Sequence, residues 1–179
     1  LLRRYPESSA VCLRYFNPVG SALSGLFGPF YWRSDSSLMA SISRGAHHLQ
    51  EEVLVYGSDY PTTDGTCERD FLHVEDLVDG HLAALDYLGR DHDSFSVFNL
   101  GRGEGVSVKN FILTFERETG VNLPIRFAER RIGDICRSYA DATKAKKILK
   151  WEAKRDLASM IKSNFLFTAS DLLKSREIL

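Results

Sequence analysis

The sequence has few cysteines, three among 179 residues, at Cys12, Cys67 and Cys136. No Cys-x-x-C spacing occurs, so neither a zinc finger nor a thioredoxin-like redox pair is predicted. An odd number of widely separated cysteines also argues against a disulfide framework. We therefore expect reduced thiols in a reducing compartment, the cytoplasm, and no metal site.

The sequence also lacks long apolar runs and a large excess of positive or negative residues. No stretch approaches the roughly 18 apolar residues that span a bilayer, so no membrane partner is expected. Lys and Arg number 23 against 24 Asp and Glu, and the net charge of −1 predicts no nucleic-acid partner. With 44% hydrophobic and 26% charged residues, the composition is typical of a globular domain.

Short apolar runs alternate with helical stripes along the chain. Strands are predicted at residues 10–16, 53–56, 70–74, 95–100 and 124–128, with a turn at 17–20 and a loop at 21–36. A first helix is predicted to start after Ser36 or Ser37, with Leu49 on its apolar face. A second is predicted to be capped by Asp76, with Leu82 and Leu85 on its apolar face. Further helices are predicted from Ser107 to Gly120 and at 141–150 and 156–173. Leu1 to Tyr5 is expected to end an earlier helix. Alternating strands and helices indicate an α/β fold.

Three glycines, Gly101, Gly103 and Gly105, stand between a predicted strand and a predicted helix. Such glycines let the backbone approach a dinucleotide pyrophosphate at a helix N-terminus. Their spacing is G-x-G-x-G rather than G-x-G-x-x-G, and no acidic residue ends a strand about 20 residues later. A tight strand-to-helix turn is therefore the favoured interpretation.

Arginines are the candidate anion ligands, because a guanidinium fork matches two phosphate oxygens. Arg69 begins a short predicted strand, and Arg130–Arg131 precedes Ile-Gly-Asp. A solvated surface charge is the alternative for each arginine. Tyr56 could stack on a base or be a half-buried strand residue. His73, on an apolar strand, is more typical of a core histidine than of a ligand or base.

Seven short motifs follow one another in a fixed order. They read Leu-Arg-Tyr-Phe-Asn-Pro-Val-Gly at 13–20, Tyr-Gly-Ser-Asp-Tyr-Pro-Thr at 56–62, Asp-Gly-Thr at 64–66, Arg-Asp-Phe-Leu-His-Val at 69–74, Phe-Asn-Leu-Gly at 98–101, Arg-Arg-Ile-Gly-Asp at 130–134 and Lys-Trp at 150–151. Together they resemble the UDP-glucose 4-epimerase (UDP-galactose 4-epimerase) family, within the extended short-chain dehydrogenases/reductases. The resemblance covers about residues 8–152, and the segment 153–179 departs from the family ending.

The resemblance implies the C-terminal half of an epimerase. Residues 1–20 and about 70–120 would belong to a Rossmann-type parallel sheet. Residues of about 21–69 and 121–179 would form the smaller α/β domain that binds the sugar nucleotide. The family's glycine-rich loop and catalytic Tyr-x-x-x-Lys are absent from this sequence. They would lie before Leu1, so no catalytic residue is expected within the chain.

The resemblance also implies roles at particular positions. Tyr15 and Phe16 correspond to residues on the nicotinamide-ribose side of NAD. Arg69 and Arg131 correspond to a clamp on the substrate diphosphate, and Asp134 to a carboxylate on the uridine ribose. Further substrate-binding positions are Asn17, Ser37, Leu38, Tyr56 and Phe71. Ser36–Ser37 replaces a family Asn-Asn, and Phe71 replaces a common tyrosine, which removes polar contacts.

The function that the resemblance implies is the interconversion of UDP-glucose and UDP-galactose. NAD would remove hydride from C4 of the sugar and return it to the other face of a 4-keto intermediate. The fragment alone would be inactive, and the parent protein could be a homodimer. Two alternatives stay open at this point. One is another NAD-dependent sugar-nucleotide epimerase or dehydratase of the same fold, and the other is a non-catalytic pseudoenzyme or binding module.

Overall fold

The computed structural model describes residues 8–29, 37–90 and 94–177. Strands are β1 (Ala10–Tyr15), β2 (Asn17–Val19), β3 (Val53–Tyr56), β4 (Glu68–Arg69), β5 (Phe71–His73), β6 (Phe95–Leu100), β7 (Val106–Ser107), β8 (Ile125–Ala128) and β9 (Arg137–Ser138). Helices are α1 (Leu38–Ala46), α2 (Val74–Leu88), α3 (Val108–Thr119) and α4 (Leu157–Glu177), and a π-helical turn spans Ala145–Leu149. The helix predicted at the start of the chain lies outside the described residues.

Parallel strand pairs dominate the sheets. β1 pairs with β6, β2 with β5 and β3 with β8, each in parallel. β4 lies between β7, which is antiparallel to it, and β9, which is parallel. Parallel strands need long crossover connections, and helices α1 to α3 supply several of them. The predicted α/β fold is confirmed.

Two groups of buried apolar side chains form the core. The larger lies among α1, β3, α3 and α4, and includes Ile42, Val53, Phe111, Phe115 and Met160. The smaller packs β5 and β6 against the π-helical turn and its flank, and its members include Leu72, Phe98, Leu100, Leu149 and Trp151. The division of the chain into two domains at the predicted boundaries stays a prediction.

Three predicted helix signals act as expected. Ser37 Oγ accepts from the Ala40 N–H at 3.3 Å at the start of α1, and Ser107 Oγ accepts from the Asn110 N–H at 3.0 Å at the start of α3. Gly120 ends α3 with φ of 72°, a left-handed conformation that glycine adopts without strain.

The start of α2 differs from the prediction. His73 caps this helix, because its Nδ1 accepts from the Glu75 N–H at 3.0 Å, and Asp76 is buried inside the first turn. Leu82 and Leu85, predicted on the apolar stripe, are exposed. The helix packs instead through small residues such as Gly80, where a Cβ would lie 2.6 Å from Leu100 Cδ1.

Three other boundaries also differ. Residues 17–19 form β2 rather than a turn, because the Asn17 N–H donates to the Asp70 carbonyl at 3.0 Å and the chain joins β5. The strand predicted at 70–74 is present as β5, one residue shorter at each end, and Asp70 separates it from β4. Leu49 lies beyond the end of α1 and is exposed, since the chain turns at His48 with φ of 57°.

Within the described part of the chain, no helix combines the length and the apolar character needed to cross a membrane.

Candidate active site

A cavity of about 290 Å³ lies where β2, β4 and the starts of α1 and β5 meet the segment 129–136. This clamp segment connects β8 to β9. The cavity is lined by Phe16, Asn17, Pro18, Val19, Ser37, Leu38, Met39, Tyr56, Cys67, Arg69, Phe71, Val108, Arg131 and Asp134. All the predicted cofactor- and substrate-binding residues except Tyr15 are therefore brought to one cavity, although they come from five separate parts of the sequence.

Arg69 is held rigidly at one side of the cavity. Its NH1 group donates to the carbonyl oxygens of Glu68 at 2.9 Å and Ile135 at 2.8 Å. Its NH2 group lies 3.5 Å from an Asp134 carboxylate oxygen, and the side chain is only 18% exposed. Since two carbonyls fix the guanidinium, its remaining N–H groups are preorganised for an anion.

Arg131 approaches the same carboxylate from the clamp segment. Its Nε donates to Asp134 Oδ2 at 2.9 Å, and its guanidinium carbon lies 4.6 Å from the centre of the Tyr56 ring. The Arg131 side chain is 54% exposed, in contrast to Arg69. Two cations around one carboxylate leave a net positive charge in the cavity, which favours an anionic ligand.

Arg130 faces a different direction from its neighbour. Its Nε donates to Asp59 Oδ1 at 2.7 Å, and its guanidinium lies over the Tyr60 ring at 4.1 Å. The hydrogen bond from Arg130 is the main reason that the pKa of the exposed Asp59 carboxyl is lowered. Arg130 therefore pairs away from the cavity, whereas Arg131 lines it.

Apolar side chains form the rest of the wall. Phe71 is buried and packs on Phe111 with ring centres 4.5 Å apart. Leu38 begins α1 directly after Ser37, whose hydroxyl accepts the cap hydrogen bond from the helix backbone. The Ser37 hydroxyl is thus used in folding at a position where the resemblance implied an amide contact to substrate.

Tyr15 lies outside the cavity. It ends β1 and is 50% exposed, with its ring centre 6.2 Å from that of His81. Phe16 follows it and faces the cavity, as expected for successive residues of extended chain. The two predicted cofactor-side residues therefore point to different sides of the strand end.

Some cavity residues were not predicted from the sequence. Cys67 and Val108 line the wall, together with Val19 and Met39. The sequence did offer a signal for Cys67, which stands two residues before Arg69. In extended chain, residues i and i+2 share one face, so a cavity position for Arg69 implies one for Cys67. Val108 carried no comparable signal.

The glycine-rich turn at 101–105 does not form an open anion site. The buried Asp70 carboxylate accepts from the backbone N–H groups of Arg102 at 2.9 Å, Gly103 at 3.0 Å and Ala140 at 3.0 Å. A Cβ at Gly101 would lie 2.4 Å from Asp70 Oδ2. The glycines serve close packing around an internal carboxylate, so the tight-turn interpretation is confirmed.

Comparison with known proteins relates the chain to one family. Residues 2–101 match the NAD dependent epimerase/dehydratase family. The chain belongs to this family. A UDP-glucose 4-epimerase of Bacillus subtilis is 41% identical over 166 residues, which are 93% of this chain and 49% of that protein. A bifunctional UDP-glucose 4-epimerase and UDP-xylose 4-epimerase of Arabidopsis thaliana is 41% identical, over 89% of this chain and 46% of that protein.

Solved structures of this family share the fold. A UDP-glucose-4-epimerase from Stenotrophomonas maltophila with bound NAD and formylated UDP-arabinopyranose has a TM-score of 0.89 and 42% identity, over 93% of this chain and 49% of that one. The Bifidobacterium longum enzyme in complex with NAD⁺ and UDP has a TM-score of 0.83 and 38% identity, over 96% and 50%. The chain thus spans about half the length of the relatives it matches.

Proposed function

We propose that the cavity binds the UDP portion of a UDP-sugar and that the chain is the substrate-binding part of a UDP-glucose 4-epimerase. The activity would be the NAD-dependent interconversion of UDP-glucose and UDP-galactose. The observation that carries this proposal is the placement of Arg69 and Arg131 on two oxygens of Asp134 in a cavity that also contains Tyr56.

Each part of a uridine diphosphate has a matching group in this arrangement. The two guanidiniums would share the diphosphate charge through bidentate contacts. Asp134 would accept hydrogen bonds from the paired ribose hydroxyls. Tyr56, with Leu38 near it, would offer a ring face and an apolar edge to the base. Asn17 and Phe71 would contact the diphosphate and sugar side, in agreement with their positions on β2 and β5.

NAD fits these residues only in part. The carboxyl end of a parallel strand is where open α/β sheets place ligands, and Tyr15 and Phe16 lie at that end of β1. The glycine turn at 101–105 offers no pyrophosphate cradle, because Asp70 occupies its amides. When bound, NAD would supply the hydride acceptor and donor for C4. The residues of this chain would hold the nicotinamide side and fix the sugar in position.

Names of the matched proteins support the substrate class. The Bifidobacterium longum structure contains UDP, and several relatives are UDP-glucose 4-epimerases. A second candidate is another UDP-sugar enzyme of the same fold. MoeE5 in complex with UDP-glucuronic acid and NAD matches with a TM-score of 0.72 and 26% identity. Identities near 40% to the epimerases favour the first candidate. The cytoplasm and a homodimer remain our predictions for compartment and assembly.

Titration calorimetry with UDP tests the proposal. Arg69→Ala and Arg131→Ala should both weaken UDP binding, whereas Arg130→Ala is the matched control because Arg130 pairs with Asp59 away from the cavity. Equal UDP affinity in all three variants, with folding verified by circular dichroism, would contradict a UDP site here.

A further inference from the structure

Two of the three cysteines directly precede neighbouring strands, Cys67 before β4 and Cys136 before β9. β4 and β9 run in parallel with Glu68 opposite Arg137, and the two cysteines stand one residue earlier on each chain. The Glu68 N–H donates to the Cys136 carbonyl at 2.9 Å, which extends the pairing to this position. Parallel strands are about 4.8 Å apart, and disulfides join Cα atoms about 4.4–6.8 Å apart. The backbone spacing therefore suits a disulfide.

Continuing this register by one residue directs the two thiols to the same side, because residues opposite each other in register project to one face. Cys67 lines the cavity together with Arg69. Both cysteines are free thiols, Cys67 buried and Cys136 half-buried. An oxidant in solvent would therefore reach Cys136 first.

Closing the bond requires a small movement. Cβ atoms opposite each other in a sheet are about 4.5–5.5 Å apart, whereas a disulfide needs about 3.5–4.5 Å, so the strands must approach by about 1 Å. Cys136 is the last residue of the clamp segment 129–136. This segment contains no helix or strand. This segment can shift more easily than β4. A bond formed against some strain is readily reduced again.

Movement of Cys136 would be transmitted to the anion clamp. Ile135, its neighbour, provides the carbonyl that accepts from Arg69 NH1 at 2.8 Å. Asp134, two residues before Cys136, holds both Arg69 and Arg131. A shift of about 1 Å at Cys136 exceeds the width of the usual hydrogen-bond range, which is about 2.7–3.2 Å. The clamp geometry thus depends on the position of this cysteine.

We propose that Cys67 and Cys136 are a reversible redox pair whose disulfide weakens UDP binding in the adjacent cavity. The oxidant is a small disulfide such as oxidised glutathione. The Cys136 thiolate attacks it and releases one glutathione thiol, and the Cys67 thiolate then displaces the second glutathione as the S–S bond forms. Two thiols lose two protons and two electrons, and one glutathione disulfide becomes two thiols. The effect on UDP rests on the proposed function, but formation of the bond does not.

Peptide mapping tests the bond. The protein is treated with oxidised glutathione, its remaining thiols are alkylated, and it is digested with trypsin without reduction. Cleavage at Arg44, Arg69, Arg131 and Arg137 should yield peptides 45–69 and 132–137 joined through Cys67 and Cys136. Cys12→Ser is the matched control, which should retain the link, and Cys136→Ser should lose it. Only glutathione adducts, or links through Cys12, would overturn the proposal.

UDP titration of the same samples tests the coupling. Affinity should fall on oxidation, recover with dithiothreitol, and be insensitive to oxidation in Cys136→Ser. In one outcome the linked peptides form and the reduced protein binds UDP, while oxidation leaves the UDP affinity unchanged. That result would contradict the proposed effect of the disulfide on UDP binding. If the reduced protein does not bind UDP, the proposed function fails, and the mapping still decides whether the redox bond exists.

Discussion

The Asp134 carboxylate accepts a hydrogen bond from Arg131 Nε at 2.9 Å, while its second oxygen lies 3.5 Å from Arg69. One carboxylate thus keeps two guanidiniums close together against their mutual repulsion. The Arg131 side chain is 54% exposed, so its ion pair contributes little to stability. Under the proposed function, ligand binding accounts for the arrangement, because both cations line one cavity.

Replacement of Arg131 measures its contact with a diphosphate. Arg131→Ala removes one charge-assisted hydrogen-bonding group, which is worth about 1.5–3 kcal/mol. UDP affinity should fall roughly ten- to hundredfold, at about 1.4 kcal/mol per decade. Arg131→Lys should recover only part of this, because an ammonium cannot make a bidentate contact. Calorimetric titration with UDP checks both values, and a lysine variant with full affinity would argue against the bidentate contact.

Replacement of Asp134 separates its two proposed roles. Asp134→Asn removes the negative charge that competes with phosphate for Arg69 and Arg131, so inorganic diphosphate should bind more tightly. The same change replaces a charged acceptor for the ribose hydroxyls by a neutral one, and hydrogen bonds to charged groups are stronger by about 1 kcal/mol. UDP should therefore gain less than diphosphate does. Competition titrations with the two ligands give the ratio, and equal gains would argue against the ribose contact.

Asp70 is predicted to be essential for folding rather than for binding. Its fully buried carboxylate accepts from three backbone N–H groups, at Arg102, Gly103 and Ala140. Asp70→Asn turns one acceptor into a donor, and each buried N–H left unpaired costs about 1–3 kcal/mol. Urea unfolding should show a loss of this size. Asp86→Asn, on the exposed side of α2, is the control and should change stability by less than about 0.5 kcal/mol.

Local signals predicted much of this fold. The caps at Ser37 and Ser107 and the strand at 53–56 follow from short-range patterns, and the structure has them as expected. The arginine roles came from the family resemblance, because an isolated arginine in a sequence gives no direction. Arg130 and Arg131 are adjacent, yet one faces Asp59 and the other faces Asp134.

Long-range contacts explain where sequence reasoning failed. The strand predicted at 70–74 begins one residue later, since Asp70 separates β4 from β5 and its side chain accepts from amides more than 30 residues away. His73 rather than Asp76 caps α2, since Asp76 is taken by Arg155 and by backbone N–H groups at 154 and 155. No local pattern encodes such distant partners.

His73 should make stability depend on pH. Its Nδ1 accepts from the Glu75 N–H at 3.0 Å, its Nε2 lies 3.2 Å from Ser163 Oγ, and burial, followed by the charge of Arg155, lowers its pKa below 6.5. The folded state therefore disfavours protonation of this ring, whereas the unfolded chain takes up a proton near pH 6.5. Stability should fall as the pH drops below this value, by up to about 1.4 kcal/mol per pH unit.

The comparison variant for this pH effect is His73→Asn, whose amide oxygen can still accept from Glu75. Urea unfolding at pH 7.5 and 5.5 should show a smaller loss on acidification in His73→Asn than in the unchanged protein. His81→Gln, at an exposed position on α2, should keep the full loss. An identical pH dependence in His73→Asn would assign the effect to another group, of which His47, whose pKa burial also lowers, is the first candidate.

A polypeptide of residues 1–179 should bind UDP without epimerising UDP-galactose. The sequence contains neither Tyr-x-x-x-Lys nor a G-x-x-G-x-x-G loop, and Asp134 in the cavity is paired with two arginines. A positioned acid or base contributes about 10²–10⁴-fold to rate, and the hydride step needs a bound cofactor as well. A coupled assay with UDP-galactose and added NAD should give no turnover in samples whose UDP binding shows that they are folded. The Bacillus subtilis epimerase is the positive control, and turnover by the 179-residue chain would contradict this prediction.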